Sequence, residues 1–378
     1  MPAKLTSDQF RDNFPMLSGV VHLAACSQGA LSGELQAALA ELTAGMARQG
    51  APWDAWMGEV AQARRRFAAL IGAADDEVAM VPCASDGAYQ VASTQDWSAR
   101  PVVVTTDMEF PSIGHVWLAQ AARGAQVVHV PERGATVDAD ELVAAIDERA
   151  ALVSIPAASY RNGARMPVVA AVARAREAGA KVFVDAYQAT GVLPVDVREL
   201  DCDYLVSGAL KYMLGLPGVA FLYVRDGIAD DVPPQLTGWF GRVDPFGFDP
   251  RTADFPANAR RFETGTPAIP SVYAANAGMR LLSRVDVHEV GRHVTGLAAS
   301  TAERLLGAGE RLWLPESPIG PQVALVDDNP DRLAAYLAER RIITAPRGAV
   351  LRLSYHYYNN ESDVDALCSA IADYRSGS

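Results

Sequence analysis

Cysteine is scarce in this sequence: four residues, Cys26, Cys83, Cys202 and Cys368, lie far apart with no Cys-x-x-Cys pair among them. That spacing argues against a zinc site and a disulfide framework, and it fits a reducing cytoplasm. Positive charge is also short, with 33 Lys and Arg against 45 Asp and Glu, a net charge of −12. The one basic cluster, Arg64-Arg65-Arg66, reads as the solvated face of a helix, so no nucleic-acid partner is expected. No stretch approaches the roughly 20 apolar residues of a membrane span. The N-terminal MPAKLTSDQFRDNFP has no apolar core of signal-peptide length, so a cytoplasmic chain with no membrane partner is expected. No Gly-x-Gly-x-x-Gly follows an early strand, which disfavours a nicotinamide-binding Rossmann enzyme. Internal repeats and low-complexity segments are absent too.

What is present is ordinary in bulk and specific in one place. Half of the 378 residues are hydrophobic and 21% are charged, the balance of a globular chain long enough for a large domain and a smaller one. The specific place is Lys181 to Arg225. Val182-Phe183-Val184 is a short apolar run ending in Asp185, the pattern of a buried strand. Tyr204-Leu205-Val206 is a second, leading through Ser207-Gly208 to Lys211; Val219 to Val224 is a third. An acid and a lysine thus follow successive strands at the edge where open α/β sheets place their ligands. A lysine held in a desolvated pocket loses proton affinity and becomes a nucleophile toward aldehydes. A carboxylate opposite a pyridine nitrogen keeps that nitrogen protonated. Those are the two protein groups that pyridoxal phosphate (PLP) requires.

The segment DAYQATGVLPVDV, with DYLVSG-x-x-K and G-x-PGVAFLYV after it, resembles the PLP-lysine region of the class V aminotransferases, a group that includes cysteine desulfurases and kynureninases. The likeness extends, with gaps, over nearly the whole chain. It implies fold type I: a mainly parallel seven-stranded sheet with helices on both faces, plus a small C-terminal α/β domain. It also implies an N-terminal segment (1–20) packing on the small domain, a large PLP-binding domain (21–275), the small domain (276–378), and a homodimer whose active site is shared between subunits.

The chain opens with a short helix, capped by Ser7 and stopped by Pro15, then a strand at Val20–Leu23. Helical periodicity follows through Leu35, Leu39, Leu42, Trp56 and Val60 to Leu70. After the strand Glu77–Pro82, the small residues Cys83 to Ala88 read as a loop and Tyr89 as the start of a helix. Ser85-Asp86-Gly87 is either a plain N-cap or an anion site of free backbone amides. In register with the family's Gly-Ala-Thr-Glu segment, Ala84, Ser85 and Asp86 would hold the cofactor phosphate. Phe110 is core or, as the resemblance implies, the aromatic that stacks on the cofactor ring. As the resemblance implies, the loop Ala158 to Gly163 carries Tyr160 as a candidate cofactor contact and Asn162 as a substrate contact, with Ser159 and Arg161 beside them, Arg161 reading equally as a surface cation. The resemblance also implies that the Gln188 amide meets the cofactor's O3′, and Ser207 joins the set. Gly238-Trp239-Phe240 reads equally as core or interface. Arg261-Phe262-Glu263-Thr264-Gly265-Thr266-Pro267 matches a family segment that reaches the neighbouring subunit's phosphate, which would make Thr266 a ligand in trans. In the family the Arg-Leu-Ser…Tyr-Asn motif supplies the arginine that clamps a substrate α-carboxylate, here Arg352.

The implied substrate is an amino-acid-like small molecule, with Lys211 as the base at its Cα. Departures from the desulfurase pattern narrow the reaction: Ile342 to Gly348 contains no cysteine, Phe110 stands where desulfurases have histidine, and Leu210 precedes the lysine. The expectation is a lyase breaking the Cβ–S bond of a cysteine-type conjugate. An aminotransferase, an epimerase and a kynureninase-like hydrolase are the alternatives. A PLP-binding sensor dimer without catalysis is a further one, disfavoured by the joint presence of Asp185, Gln188, Lys211 and Arg352.

Overall fold

The computed structural model describes residues 4–228, 232–316 and 319–377; of the N-terminal segment, residues 1–3 lie outside it. Seven strands form the central sheet in the order Val78–Val81, Ala220–Val224, Tyr204–Gly208, Lys181–Asp185, Ala150–Pro156, Val102–Thr106, Gln126–Val130. All neighbours run parallel except Ala220–Val224, which is antiparallel to both of its partners. Except along the edge strand Gln126–Val130, both faces are buried, which is why the other strands are largely continuous apolar runs rather than alternating ones. Side chains still divide by the two-residue period. Val182, Val184, Leu205 and Phe221 enter one core with Phe67, Val172 and Met279, whereas Phe183, Tyr204, Val206 and Leu222 enter the other with Val91 and Trp117. The mainly parallel α/β sheet of fold type I is therefore present as expected.

A smaller antiparallel sheet, Gln322–Val326, Val350–Ser354 and Ala345–Arg347, is built near the C-terminus. It packs against the helices Val287–Gly307 and Pro330–Glu339, on both of which the helix Glu361–Ser376 packs in turn. The N-terminal strand Val21–His22 pairs in parallel with Ile342–Ile343, and Phe10 stacks on His356 at 5.6 Å. His356 is fully buried, as a packing residue would be. The helix Ile269–Leu282 runs unbroken across the expected 275/276 boundary, because its small residues pack closely on the helices Gly33–Gln49 and Trp53–Ile71.

Three local expectations are corrected. The first helix is capped by Thr6, whose hydroxyl and Gln9 form a reciprocal capping box, so Ser7 is its first residue. The helix expected from Tyr89 begins at Ala84. Its small first turn lets Gly87 press onto Val206 and Val81, where a Cβ would already be tight at 3.0 Å. Arg64 is no solvated surface cation: it donates to Glu263 Oε1 at 2.6 Å and to Val78 O at 3.1 Å, tying a helix to the segment that carries Thr266.

Candidate active site

Lys211 opens a 3-10 turn, Lys211–Met213, just past the strand Tyr204–Gly208, with φ 67. Left-handed backbone at a β-carbon residue costs about 1–2 kcal/mol and survives only where packing over-determines it. Here it does. Gly29 and Gly278 lie so close that a Cβ at either would overlap the carbonyl oxygens of Lys211 and Met213, and His356 Nε2 meets Tyr212 O at 2.9 Å. The lysine Nζ points inward, 4.2 Å from the Tyr187 ring centroid and 5.5 Å from that of Phe110. Burial lowers its pKa to about 8, against the pull of the Asp185 carboxylate; the cations of Arg352 and Arg347 lower it further. The site therefore holds an amine that gives up its proton far more readily than a surface lysine.

Asp185 is the last residue of its strand and is 5% exposed. Its Oδ1 accepts from Tyr187 N at 2.9 Å. Burial raises its pKa, while that hydrogen bond and the charge of Lys211 oppose the rise. A second buried carboxyl, Glu109, accepts from Phe110 N at 2.8 Å and Ser154 Oγ at 3.1 Å. Desolvation and the charge of Asp185 push Glu109 up to about 8. Sequence patterns do not flag Glu109, since nothing in its neighbours says that the loop after Val102–Thr106 turns the carboxyl inward. Nor do they flag Tyr187, whose one signal is its place two residues after Asp185; Gly208 leaves the room for its ring.

A cavity of about 230 Å³ joins these groups, lined by Cys83, Ala84, Ser85, Phe110, Ser112, Ile113, Pro156, Ala158, Tyr160, Asp185, Tyr187, Gln188, Leu210 and Lys211. Phe110 and Tyr160 meet edge to face at 5.0 Å across it. The helix Ala84–Ser93 begins at its wall with no side-chain cap on Cys83, so its first backbone amides are unspent donors. Gln188 donates to Cys26 O at 3.1 Å and its Oε1 is buried without a partner.

Other expected site residues stand outside this lining. Asp86 sits one residue beyond it in the first helical turn. Asn162 is buried and spends its amide on Ala135 O and Ala164 N, which shapes the loop bearing Tyr160. Ser207 is buried against the Met213 sulfur at 3.7 Å. Thr266 lines a neighbouring cleft with Pro82, Phe240 and Gly265. Arg352, 2% exposed, reaches the site through Tyr160, whose carbonyl it holds at 3.0 Å.

A buried amine, a buried carboxyl, a buried side-chain amide, a face of aromatic rings and a row of free helix-terminal amides match the parts of PLP: aldehyde, pyridine nitrogen, phenolic oxygen, ring and phosphate. The Aminotransferase class-V family model matches residues 52–367. The chain belongs to the class V aminotransferases. It is a PLP-dependent enzyme of fold type I. A Bacillus subtilis (strain 168) protein, "Uncharacterized aminotransferase YcbU", is 37% identical over 366 residues, 97% of either chain. A kynureninase of Pseudomonas fluorescens is 30% identical over 75% of this chain and 70% of its own length. Among solved structures, the apo cysteine desulfurase of Thermococcus onnurineus NA1 superposes with TM-score 0.89 at 20% identity, covering 100% of both chains. The cystine C-S lyase C-DES, in complex with cysteine persulfide, superposes with TM-score 0.87 at 22% identity over 95% of this chain and 99% of its own. At those identities the structures establish the shared fold.

Proposed function

We propose that this enzyme is a lyase that cleaves the Cβ–S bond of a cysteine-type conjugate, with one water consumed and a thiol, pyruvate and ammonia released. The observation that carries the reading is the Lys211 amine, buried in a cavity opposite Asp185 and lowered to about 8. PLP, when bound, supplies an aldehyde for the substrate amine and a ring that stabilises negative charge at Cα. Asp185 would hold the pyridine nitrogen, Phe110 the ring face, an amide N–H of Gln188 the phenolic oxygen, and Ala84, Ser85 and the amide of Asp86 the phosphate. Arg352 would orient the α-carboxylate and Tyr160 border the substrate, so that the Cα proton meets Lys211 Nζ, a proximity effect. Lys211 takes that proton and the sulfur leaves with the bonding pair. Asn162 and Ser207 act behind these groups, holding the Tyr160 loop and the lysine turn.

We further propose a homodimer in which Thr266 serves the partner's phosphate, since its cleft adjoins the Cys83 wall without opening into the lysine cavity. The small C-terminal domain is best begun after Leu282, with the N-terminal segment docked on it through Phe10 and through Arg11, which pairs with Asp363 at 2.8 Å. Four free cysteines favour the cytoplasm. Among the described residues no helix is long and apolar enough to cross a membrane.

The test is the visible spectrum of the holoenzyme during turnover of S-substituted cysteines. A cofactor band that persists while pyruvate and thiol accumulate supports the lyase. Transamination is the second reading, favoured by the relative named an aminotransferase, and it would release a 2-oxo acid that keeps the whole side chain. Lys211→Ala should abolish either reaction; turnover surviving that change would sink both.

A further inference from the structure

Arg347 has no assigned role, yet its position is unusual. In the antiparallel pair of Ala345–Arg347 with Val350–Ser354, Ala345 lies opposite Arg352 and Arg347 opposite Val350. Directly opposed residues share a face, so Arg347 and Arg352 lie on the same one, diagonal neighbours at a typical separation of about 7–8 Å. Leu351, between them in register, points the other way into the core. The face that carries the arginines is the one turned toward the large sheet, because Arg352 Nη1 donates to Tyr160 O, and Tyr160 lines the lysine cavity.

The charges on that face are not balanced. Arg352 is buried, and among the described residues its guanidinium donates only to the carbonyls of Ala345 and Tyr160. Arg347 is exposed, and among the described residues no carboxylate pairs with either arginine. Arg161, the other cation of the Tyr160 loop, differs: it lies over the Trp313 ring at 4.3 Å. A buried guanidinium with carbonyl acceptors alone keeps donors for an anion, and a second unpaired cation on the same face adds to the positive potential there. Both arginines are felt at Lys211, which places their field on the cavity.

We propose that Arg347 is a specificity residue that, beside Arg352, selects amino acids with a second anionic group at the end of the side chain, such as a distal carboxylate. This rests on the amino-acid reading above and names its substrate class. One arginine takes the α-carboxylate and the other the side-chain acid, a few bonds away. Because Arg347 is exposed, replacing it leaves the core intact, and a change in binding reports on recognition rather than folding.

The test titrates the holoenzyme with a matched pair that has no Cα proton and so is bound without turnover, α-methylglutamate and its uncharged isostere α-methylglutamine, following the visible spectrum to obtain Kd for each. The wild type should bind the acid about tenfold more tightly than the amide, the worth of one partly desolvated charge-assisted contact. Arg347→Met should bring the ratio near one while leaving the amide's Kd within about twofold, and Arg347→Lys should keep part of the preference. High salt should shrink the wild-type ratio. A wild-type ratio near one, or a ratio unchanged in Arg347→Met, overturns the inference and leaves the PLP enzyme standing. A protein that takes up no PLP overturns the amino-acid reading itself, and this inference with it.

Discussion

Two buried titratable groups, Lys211 and Glu109, make the pH behaviour of this protein predictable one residue at a time. Between about 8 and the ordinary 10.5, the unfolded chain still holds the Lys211 proton that the folded chain has released. Stability of the PLP-free chain should therefore rise with pH across that window, by about 3 kcal/mol at most. Chemical denaturation of wild type against Lys211→Met should show that rise in the wild type alone. Glu109 acts in the opposite sense. Its folded pKa is raised from 4.5 to about 8, so the folded chain holds a proton that the unfolded chain gives up, and stability falls as pH climbs through that range. Glu109→Gln keeps both hydrogen-bond partners within reach and removes the titration, so the variant should be more stable than wild type at pH 8.5 and close to it at pH 4.5. Equal denaturation midpoints at both pH values would contradict the burial argument. Lys211 and Asp185 were legible because Asp185 ends one apolar run and Lys211 follows the next; Glu109 was not, because inward orientation of a loop carboxyl leaves no periodic trace.

At the scale of elements, the lysine turn is held by contacts that need glycine. The helix Ile269–Leu282 presses Gly278 onto the turn, and a Cβ there would strike Met213 O, with the Leu214 carbonyl next at 2.9 Å for its carbon. Backbone cannot yield as a side-chain tip can. Gly278→Ala should cost about 1–3 kcal/mol by denaturant unfolding, as overpacking does. It should also push the Lys211 turn out of register, read as weakened retention of PLP on dialysis. An unchanged unfolding midpoint with normal PLP retention would mean that the helix can slide away. The helix Ala84–Ser93 teaches a related lesson. A run of small residues reads as loop by composition, yet it folds as the first helical turn because the closeness of Val81 and Val206 requires small side chains.

For the whole molecule, the aromatic cluster beyond the lysine strand is the feature a single chain leaves unfinished. Trp239 packs on Phe240 at 4.4 Å and on Phe246 at 5.6 Å, while Phe248 is 70% and Phe246 49% exposed. Apolar surface of this kind, next to the cleft of Thr266, fits the proposed dimer contact. Light scattering should find the wild type dimeric at micromolar concentration. Phe246→Ser with Phe248→Ser should shift it toward monomer and weaken PLP retention together, because the proposed phosphate ligand, Thr266, would come from the partner. A monomeric wild type with full PLP occupancy would end the shared-site proposal.

What the sequence determined by itself was what repeats or clusters along the chain. The apolar runs predicted the strands, the order of acid and lysine predicted the sheet edge where they meet, and the PLP-lysine motif predicted the family and its seven-stranded sheet. Tertiary structure decided what depends on approach between distant segments. It set Glu109 in the field of Asp185, brought the Tyr187 ring over the lysine through the gap at Gly208, spent Asn162 and Ser207 on internal contacts, and put Arg347 and Arg352 on one sheet face. Strand formation follows local patterns of two residues, whereas a pKa or an unpaired charge is set by whatever lies within a few ångströms in space.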